Sequence, residues 1–320
     1  TEENDMSTGR GFLGGAGTTS SALGFGGLPV TALTEEWTGA GAPIGAWSTG
    51  GNLNTARQQL GGAGTQTAAI VFGGSPGEKN ETELYDGSSW TETANLNTAR
   101  FEHGGSGTQT SALASGGELP GSNIANTESW NGSSWTEVAD LNAARARHGA
   151  AGADNTSALC ITGLPPPGGT PAVEQWNGSN WTEIADVNTS RWTLAANGIA
   201  TSALIYGGKT PPTIYANTES WNGSAWTEVN DLNTARNELA GAGASNSSAL
   251  AFGGKSSPGA TVAITEDWNG GSWSEVADLS TARRQLAGNG TLASALASGG
   301  TTGSASTATE EWNVPSNVIK

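Results

Sequence analysis

One short segment recurs along the whole chain. Leu-Asn-Thr-Ala-Arg, or a close variant of it, occurs seven times in 320 residues. The copies end at Arg10, Arg57, Arg100, Arg145, Arg191, Arg236 and Arg283, which gives repeats of 43–47 residues with a mean of 45.5. A period in this range is typical of solenoids and propellers, in which each repeat buries its apolar surface against the next. The sequence therefore predicts a repeat protein and not a set of unrelated domains.

Each repeat contains four short strand-like segments, which we call a, b, c and d. After the arginine comes a glycine- and alanine-rich segment (a), then an apolar run that ends in a glycine pair (b). Thr-Glu-x-Trp follows (c), and then a second tryptophan with Thr-Glu-Val (d). Short apolar runs bounded by Gly, Asn and Ser are typical of β-strands. An Asn-Gly step between c and d, as at Asn131-Gly132, favours a tight hairpin because both residues tolerate a positive φ.

The composition supports an all-β fold. The chain has 49 glycines and 13 tryptophans, but only 13% of its residues are charged. Gly, Ser, Thr and Asn are poor residues for a helix interior, and disordered chains usually have few aromatics and high charge. We expect the glycines to mark innermost strands, strand ends and hairpins.

The second repeat resembles the kelch repeat. It contains, in order, Gly73-Gly74, Glu83-Leu84-Tyr85-Asp86-Gly87 and Trp90, which is the kelch order of a glycine pair, Glu-x-Tyr, Asp-Gly and tryptophan. The other six repeats have Trp in place of this Tyr, and the fourth keeps only Gly163 of its glycine pair. The resemblance covers the whole chain and implies a β-propeller built of four-stranded blades.

The expected fold is thus an all-β, seven-bladed kelch-like β-propeller with four-stranded antiparallel blades. It forms a single domain over residues 1–320, with a C-terminal tail at 314–320. The last repeat lacks segment d, because Val314-Pro315 follows its strand c. Residues 1–5 align with segment d, so we expect this N-terminal strand to pair with residues 309–313. Such pairing closes the ring and removes an unpaired edge.

The repeat arginines are matched by equally regular glutamates. Because both recur in every repeat, we interpret them as structural ion pairs, for which the guanidinium group is well suited. A ring of ligand-binding arginines is the alternative. The residues expected in these pairs are Arg57, Arg100, Arg145, Arg191, Arg236 and Arg283 with Glu83, Glu128, Glu174, Glu219 and Glu266.

The repeats differ most in their b–c links. In an up-and-down blade, the b–c and d–a links lie on one face of the propeller, and the a–b and c–d turns lie on the other. The c–d turn is nearly constant, apart from an insertion at 38–46 in the first repeat. Binding residues tend to lie on loops held by a rigid scaffold, and the kelch resemblance implies partner binding on the b–c/d–a face. Candidate partner-binding residues there are Phe101, Arg147, Trp192, Lys209, Tyr215 and Lys255; packing of Trp192 and Tyr215 between blades is the alternative.

Residues suited to catalysis or metal binding are scarce. His103 and His148 take a position that is leucine in the other repeats, and Cys160 lies in an apolar run. We expect all three to be packing residues, with no catalytic residue, no metal and no cofactor. The net charge of −16 argues against nucleic-acid binding. No apolar run approaches the roughly 18 residues of a membrane span, so we expect no membrane insertion.

Arrays with Trp-Asn-Gly-Ser-x-Trp-Thr-Glu-Val resemble those of bacteriophage virion proteins, especially of marine phages. The resemblance implies a non-enzymatic structural and binding protein on a tail fibre or capsid surface. We expect it in a virion or extracellular setting, where its partners are other virion or surface proteins, with host glycans as further candidates. One alternative is a carbohydrate-binding propeller lectin of a secreted or cell-surface protein. Another is an intracellular kelch adaptor, although the sequence contains no adaptor partner domain.

Overall fold

The chain divides into two compact units. The computed structural model describes residues 14–18, 21–25, 34–38, 45–165 and 169–314. One unit comprises residues 46–313, and the other comprises residues 1–45 together with 314–320. Every regular element among the described residues is a β-strand, as the composition predicts.

Residues 46–313 form a closed ring of six four-stranded antiparallel sheets, which makes this unit a β-propeller. We number its blades 2 to 7, after the repeat that supplies strands a, b and c. In that order, strand a is Gly61–Gly64, Gly104–Thr108, Gly149–Asp154, Ala195–Ile199, Ala240–Ser245 and Ala287–Gly290. Strand b is Ala69–Gly74, Ser111–Ser115, Ser157–Ile161, Ser202–Tyr206, Ser248–Phe252 and Ser294–Ser298.

The two outer strands complete each blade. Strand c is Lys79–Tyr85, Thr127–Trp130, Val173–Trp176, Thr218–Trp221, Thr265–Trp268 and Thr309–Asn313. Strand d is Trp90–Thr93, Trp135–Val138, Trp181–Ile184, Trp226–Val229 and Trp273–Glu275 in blades 2 to 6, and Ala46–Thr49 in blade 7.

The innermost strands are glycine-rich because they converge on the central axis. A Cβ atom on Gly105 would lie 2.6 Å from the backbone nitrogen of Gly62 in the adjacent blade. Real Cβ atoms do not approach backbone atoms so closely, so only the smallest residues fit where strands converge. The larger apolar side chains of strand b and the tryptophans of strands c and d instead fill the space between blades, where most of them are buried.

The second unit contains one three-stranded antiparallel sheet, which we call the N-terminal sheet. Its strands are Gly14–Thr18, Ser21–Phe25 and Thr34–Thr38, in that order across the sheet. These are strands a, b and c of the first repeat. The first repeat therefore does not contribute a blade to the ring.

The expectation of seven blades is wrong, because the ring formed by residues 46–313 has six. The expected closure by residues 1–5 is wrong as well. The strand that pairs with Thr309–Asn313 is Ala46–Thr49, which is strand d of the first repeat. Residues 1–5 themselves lie outside the described residues, as do Arg10 and residues 315–320 of the tail.

The insertion in the first repeat explains this change. The c–d turns inside blades 2 to 6 have four residues, as at 131–134, and so hold strands c and d together as a hairpin. In the first repeat, strand c ends at Thr38 and strand d begins only at Ala46. The longer link does not force these two strands to pair. Strand d of the first repeat can therefore pair with strand c of the last one.

Trp47 and Tyr85 hold the closing strand in place. The indole N–H of Trp47 donates to Thr265 Oγ1 at 3.1 Å, and the ring centroids of Trp47 and Trp312 lie 5.5 Å apart. Tyr85 stands where the other blades have Trp, and its hydroxyl donates to Glu311 Oε1 at 2.5 Å. The same hydroxyl accepts a hydrogen bond from the backbone N–H of Gly51, just after the closing strand, at 3.3 Å. The single Tyr among these positions thus lies where the ring closes.

Strand-d tryptophans connect neighbouring blades. We call the interface between two adjacent blades a seam. At five of the six seams, the indole N–H donates to a strand-c threonine of the preceding blade at 3.0–3.1 Å. The exception is the seam between blades 4 and 5, where Val173 replaces the threonine. Trp226 Nε1 is consequently buried without a hydrogen-bond partner. A buried donor without a partner costs roughly 1–3 kcal/mol.

A second hydrogen bond is also missing at this seam. At the other five seams, the second glycine of the strand-b pair donates its N–H to the carbonyl of the next repeat arginine at 2.8–2.9 Å, as from Gly117 to Arg145. In blade 4, Thr162 replaces the first glycine of the pair, and no such bond joins Gly163 to Arg191 among the described residues. The seam between blades 4 and 5 therefore lacks two bonds that the other seams share.

Replacing Val173 with threonine should repair part of this seam. We expect Val173→Thr to raise the free energy of unfolding by about 1 kcal/mol, because Trp226 Nε1 gains an acceptor. The matched control is Thr127→Val in blade 3, which removes the acceptor of Trp181 and should lower the free energy of unfolding by a similar amount. Urea unfolding followed by tryptophan fluorescence measures both. Changes of the same sign in the two variants would contradict this explanation.

Removing the closing tryptophan should destabilise the ring. We expect Trp47→Ala to lower the free energy of unfolding by about 3 kcal/mol, since a large aromatic contact and a hydrogen bond are lost together. Thr49→Ala, on the exposed part of the same strand, should change the free energy by less than about 0.5 kcal/mol. Equal effects of the two substitutions in urea unfolding would show that the strand does not close the ring.

Candidate binding face

The d–a and b–c links meet on one face of the ring, which we call the link face. In blades 2 to 7, the residue after the repeat arginine pairs with a residue that follows the end of strand b. Examples are Phe101 with Glu118, Trp192 with Lys209, and Arg284 with Thr301. Short hairpins extend some of these links, as at Lys209–Thr210 with Thr213–Ile214. Each d–a link is thus attached to the b–c link of its own blade.

Buried ion pairs fix these links to the blades. In blade 2, Arg57 Nη2 lies 2.6 Å from Glu83 Oε1, and both side chains are fully buried. Arg57 Nη1 also donates to the carbonyls of Gly73 and Glu81, so one guanidinium joins the end of strand b to strand c. The other pairs in the ring are Arg100–Glu128, Arg145–Glu174, Arg191–Glu219, Arg236–Glu266 and Arg283–Glu310.

The asparagine of the repeated segment completes the binding of each glutamate. The backbone N–H of Asn54 donates to Glu83 Oε2 at 2.7 Å, and its side-chain amide donates to the same oxygen at 2.9 Å. Equivalent bonds from Asn97, Asn142, Asn188 and Asn233 occur in blades 3 to 6, while Ser280 in blade 7 contributes its backbone N–H. Burial lowers the pKa of Arg57, and Glu83 opposes this shift. Leu-Asn-Thr-Ala-Arg is therefore a carboxylate-binding segment.

A second set of residues surrounds the mouth of the central channel on the link face. These residues lie two positions after each repeat arginine, and we call them the mouth ring: Gln59, Glu102, Arg147, Thr193, Glu238 and Gln285. The backbone N–H of each donates to the carbonyl of the member in the preceding blade at 2.8–2.9 Å. The six hydrogen bonds form an unbroken cycle around the channel.

Each mouth-ring residue adopts a left-handed backbone conformation, with φ between 53° and 60°. This conformation costs a residue with a Cβ about 1–2 kcal/mol. At many other left-handed positions the chain has glycine, as at Gly73 and Gly117. In a chain with 49 glycines, none occupies the mouth ring. The chain thus has side chains at these six positions although glycine would avoid the conformational cost.

Charged side chains at the mouth ring form two clusters on opposite sides of the channel. Glu102 accepts hydrogen bonds from Arg147 Nε and Gln59 Nε2, and Arg147 also lies 3.3 Å from Glu118. Across the channel, Glu238 pairs with Arg284 and lies 3.4 Å from Lys209 Nζ. The side chains of Glu102 and Glu238 are more than nine-tenths buried, whereas the cations remain partly exposed.

Beneath the mouth ring lies a cavity of about 110 Å³, lined by the mouth ring and by the residue after each of its members. Four of these following residues are leucines, and the others are His103 and His148. Each imidazole packs between blades against glycines of the preceding blade. Burial and Arg145 lower the pKa of His148 to about 3, and burial and Arg100 hold the pKa of His103 well below its usual value.

The structure places all six candidate binding residues on the link face, where each is half-buried. It brings two of them together: Trp192 and Lys209 exchange two backbone hydrogen bonds. Arg147 accepts a backbone hydrogen bond from Thr193, the residue after Trp192. Trp192 also packs on Gly169, so part of its indole is covered by the neighbouring blade. Phe101, Tyr215 and Lys255 lie in links of blades 3, 5 and 6.

Sequence reasoning recognised only Arg147 among the mouth ring. The signal was present, because the position two residues after the arginine is polar in all six ring repeats. Left-handed backbone at a non-glycine residue, however, cannot be read from a sequence that has glycine at so many other turns.

Comparison with models of known protein families and with curated protein sequences finds no match. Among the described residues, no group of three or more His, Cys, Asp or Glu side chains could hold a metal ion. The part of the chain that the structure describes has no helix long and apolar enough to cross a membrane. What the fold provides is a rigid β-propeller that presents varied loops, a general arrangement for protein binding.

The buried histidines should make the ring sensitive to acid. Because the folded-state pKa of His148 is depressed, the unfolded chain binds more protons between pH 6.5 and about 3. The free energy of unfolding therefore falls as the pH is lowered through this window, by about 3 kcal/mol for this histidine at pH 4.

His148→Leu restores the leucine of the other blades and should remove this part of the pH dependence. Leu194→His at the equivalent position of blade 5 is the matched control and should increase it. Urea unfolding at pH 4 and pH 7 measures both effects. An unchanged difference between the two pH values in both variants would contradict the assignment.

Proposed function

We propose that this protein is a non-enzymatic binding protein that attaches to a protein partner through its link face. The observation that carries the proposal is the mouth ring. Six side chains are retained there in a backbone conformation that glycine would adopt without strain. Strain of this kind concentrates at functional sites.

The distribution of cationic side chains supports the same face. Outside the six buried ion pairs, the described residues include five cationic side chains: Lys79, Arg147, Lys209, Lys255 and Arg284. All five lie in or next to the d–a and b–c links. The opposite face instead repeats one structure, in which Asn131 Oδ1 or its equivalent accepts two backbone N–H groups of a c–d turn. The blades therefore differ on the link face and resemble one another on the other.

The cysteine and the two histidines support a role without catalysis. Burial raises the pKa of the Cys160 thiol to about 12, and the two imidazoles are buried and neutral at pH 7. A thiol or imidazole in this state is a poor nucleophile or general base. No cofactor is part of the proposal.

We further propose that the protein is a surface component of a virion, on a tail fibre or capsid, and that the partner is another virion protein or a host surface protein. The resemblance of the repeats to phage virion arrays supports this setting. Mass spectrometry of purified particles should detect its peptides in constant ratio to the major capsid protein. Peptides found only in the particle-free fraction would exclude the virion setting.

A glycan ligand is the second candidate. Trp192 and Tyr215 are half-buried aromatic side chains on the same face, and aromatic rings can stack on sugars. Gly169 covers part of the Trp192 indole, which weakens this alternative. A glycan array distinguishes the two, because the protein-binding proposal expects no glycan to bind.

Site-specific photo-cross-linking should map the partner to the link face. We expect p-benzoylphenylalanine in place of Trp192 to form a covalent adduct within purified particles, because this position borders the mouth ring. The matched control carries the cross-linker in place of Ser133, in a c–d turn on the opposite face, and should give no adduct. Adducts at position 133 alone would refute the proposed face.

A further inference from the structure

The c–d turns of blades 3 to 6 contain an Asn-Gly step, and each asparagine is exposed. The steps are Asn131-Gly132, Asn177-Gly178, Asn222-Gly223 and Asn269-Gly270. In such a step, the backbone nitrogen of the glycine can attack the side-chain amide carbon of the asparagine and close a succinimide ring. Glycine favours this attack because it has no side chain to hinder the approach. Each turn therefore holds both reacting groups on adjacent residues.

The turn at Asn131 surrounds the oxygen on which negative charge develops during this attack. Asn131 Oδ1 accepts hydrogen bonds from the backbone N–H groups of Ser133 and Ser134 and from the Ser133 hydroxyl, each at 2.9 Å. Attack on the amide carbon converts this oxygen to an oxyanion, which donors already in place stabilise. The Gly132 N–H makes no backbone hydrogen bond among the described residues. The attacking nitrogen is thus not held back by the backbone.

The other Asn-Gly turns vary one of these donors. Two backbone N–H groups bind the asparagine Oδ1 in each of them, at 2.9–3.0 Å. At Asn222, the Ser224 hydroxyl adds a third hydrogen bond at 2.9 Å. After Asn269, Gly271 stands at the position of this serine and has no hydroxyl. The turns at Asn131, Asn222 and Asn269 therefore form a natural series that isolates the hydroxyl donor.

Blade 2 shows that the same turn accommodates an aspartate. Asp86 stands at the position of these asparagines, and its Oδ1 accepts hydrogen bonds from the N–H groups of Ser88 and Ser89 and from the Ser88 hydroxyl at 2.8–2.9 Å. The backbone N–H of Ser89 and the hydroxyl and N–H of Ser88 lower the pKa of Asp86 to about 2. An ionised carboxylate resists renewed attack by the glycine nitrogen. An aspartate formed at this position is therefore retained.

We propose that the Asn-Gly turns are sites of self-catalysed deamidation, in which each turn supplies the oxyanion donors for the modification of its own asparagine. In blade 3, the Gly132 nitrogen loses its proton to solvent and bonds to Cγ of Asn131. The Cγ–Nδ2 bond then breaks, and Nδ2 takes up a proton and leaves as ammonia. Water opens the succinimide at either carbonyl and gives aspartate or isoaspartate. The net reaction consumes one water molecule and exchanges an amide for a carboxylate.

The modification would change the charge of one face of the ring. Conversion of all four turns would take the formal net charge from −16 to −20. Each added charge would lie on the face opposite the link face, where the c–d turns are. The inference does not depend on the proposed function, because it rests on the c–d turns alone.

Peptide mapping by mass spectrometry tests the proposal on the folded full chain, incubated at pH 7 and sampled over time. We expect aspartate and isoaspartate to appear at Asn131 and Asn222 about fivefold faster than at Asn269, which is the rate effect of one hydrogen bond to a developing oxyanion. In urea at a concentration that unfolds the ring, the donors are lost. The three rates should then become similar.

Two variants change the hydroxyl donor in opposite directions. Ser133→Ala should slow deamidation at Asn131 about fivefold, whereas Asn222 in the same chain is the internal control and should keep its rate. Gly271→Ser should accelerate deamidation at Asn269 by a similar factor. A Cβ atom on Gly271 would lie 3.6 Å from Asn269 Oδ1, so a serine hydroxyl fits there. Unfolding midpoints in urea, followed by tryptophan fluorescence, check that both variants remain folded.

Absence of deamidation at all four turns of the folded protein overturns the proposal. Equal rates at Asn131 and Asn269 that Ser133→Ala leaves unchanged overturn it as well, because the turn would then not act on the oxyanion. A rate difference that persists in urea would belong to the local sequence instead of the folded turn, and it also overturns the proposal. None of these outcomes bears on the cross-linking result at position 192, which tests the link face.

Discussion

A buried carboxylate in each blade organises the rest of the ring. The strand-c glutamate accepts hydrogen bonds from the backbone and side chain of the asparagine in the d–a link, and it pairs with the repeat arginine, as Glu83 does with Asn54 and Arg57. Removing one partner of a buried ion pair leaves an uncompensated charge, so the cost of breaking it is high. Each link is thereby fixed above its blade. The mouth ring, two residues beyond the arginine, takes its position from this anchor.

Much of the fold could be predicted because it depends on local patterns. Asn-Gly steps indicated the c–d hairpins, and the segments rich in Gly and Ala indicated the innermost strands. The pairing of recurring arginines with recurring glutamates followed from their equal spacing. The number of blades could not be obtained in this way, because nearly identical strands d compete for the same edge and the sequence pattern alone does not rank them. The insertion at 38–46 was the deciding feature, since it releases Ala46–Thr49 from its own hairpin.

The candidate site was only partly predictable for a related reason. The link face follows from strand order, so the residues assigned to it lie there. The conformation of the mouth ring depends instead on how six links meet around one axis, which is a property of the closed ring. A polar residue such as Gln59 or Thr193 carries no local sign of a left-handed backbone. These positions stand out in the structure because they have side chains, whereas most other positions with a positive φ are glycines.

The seam between blades 4 and 5 differs from the other five, so the ring is less symmetric than six equal repeats would make it. The closed ring can open between two adjacent blades or inside blade 7, where Ala46–Thr49 pairs with Thr309–Asn313 without a connecting hairpin. Trp226 lacks its hydrogen-bond partner and Gly163 does not bond to Arg191, so this seam has the fewest of the shared bonds. Val173 and Thr162, which replace the residues that would make these bonds, thus make the interface between blades 4 and 5 the one at which two adjacent blades part most easily.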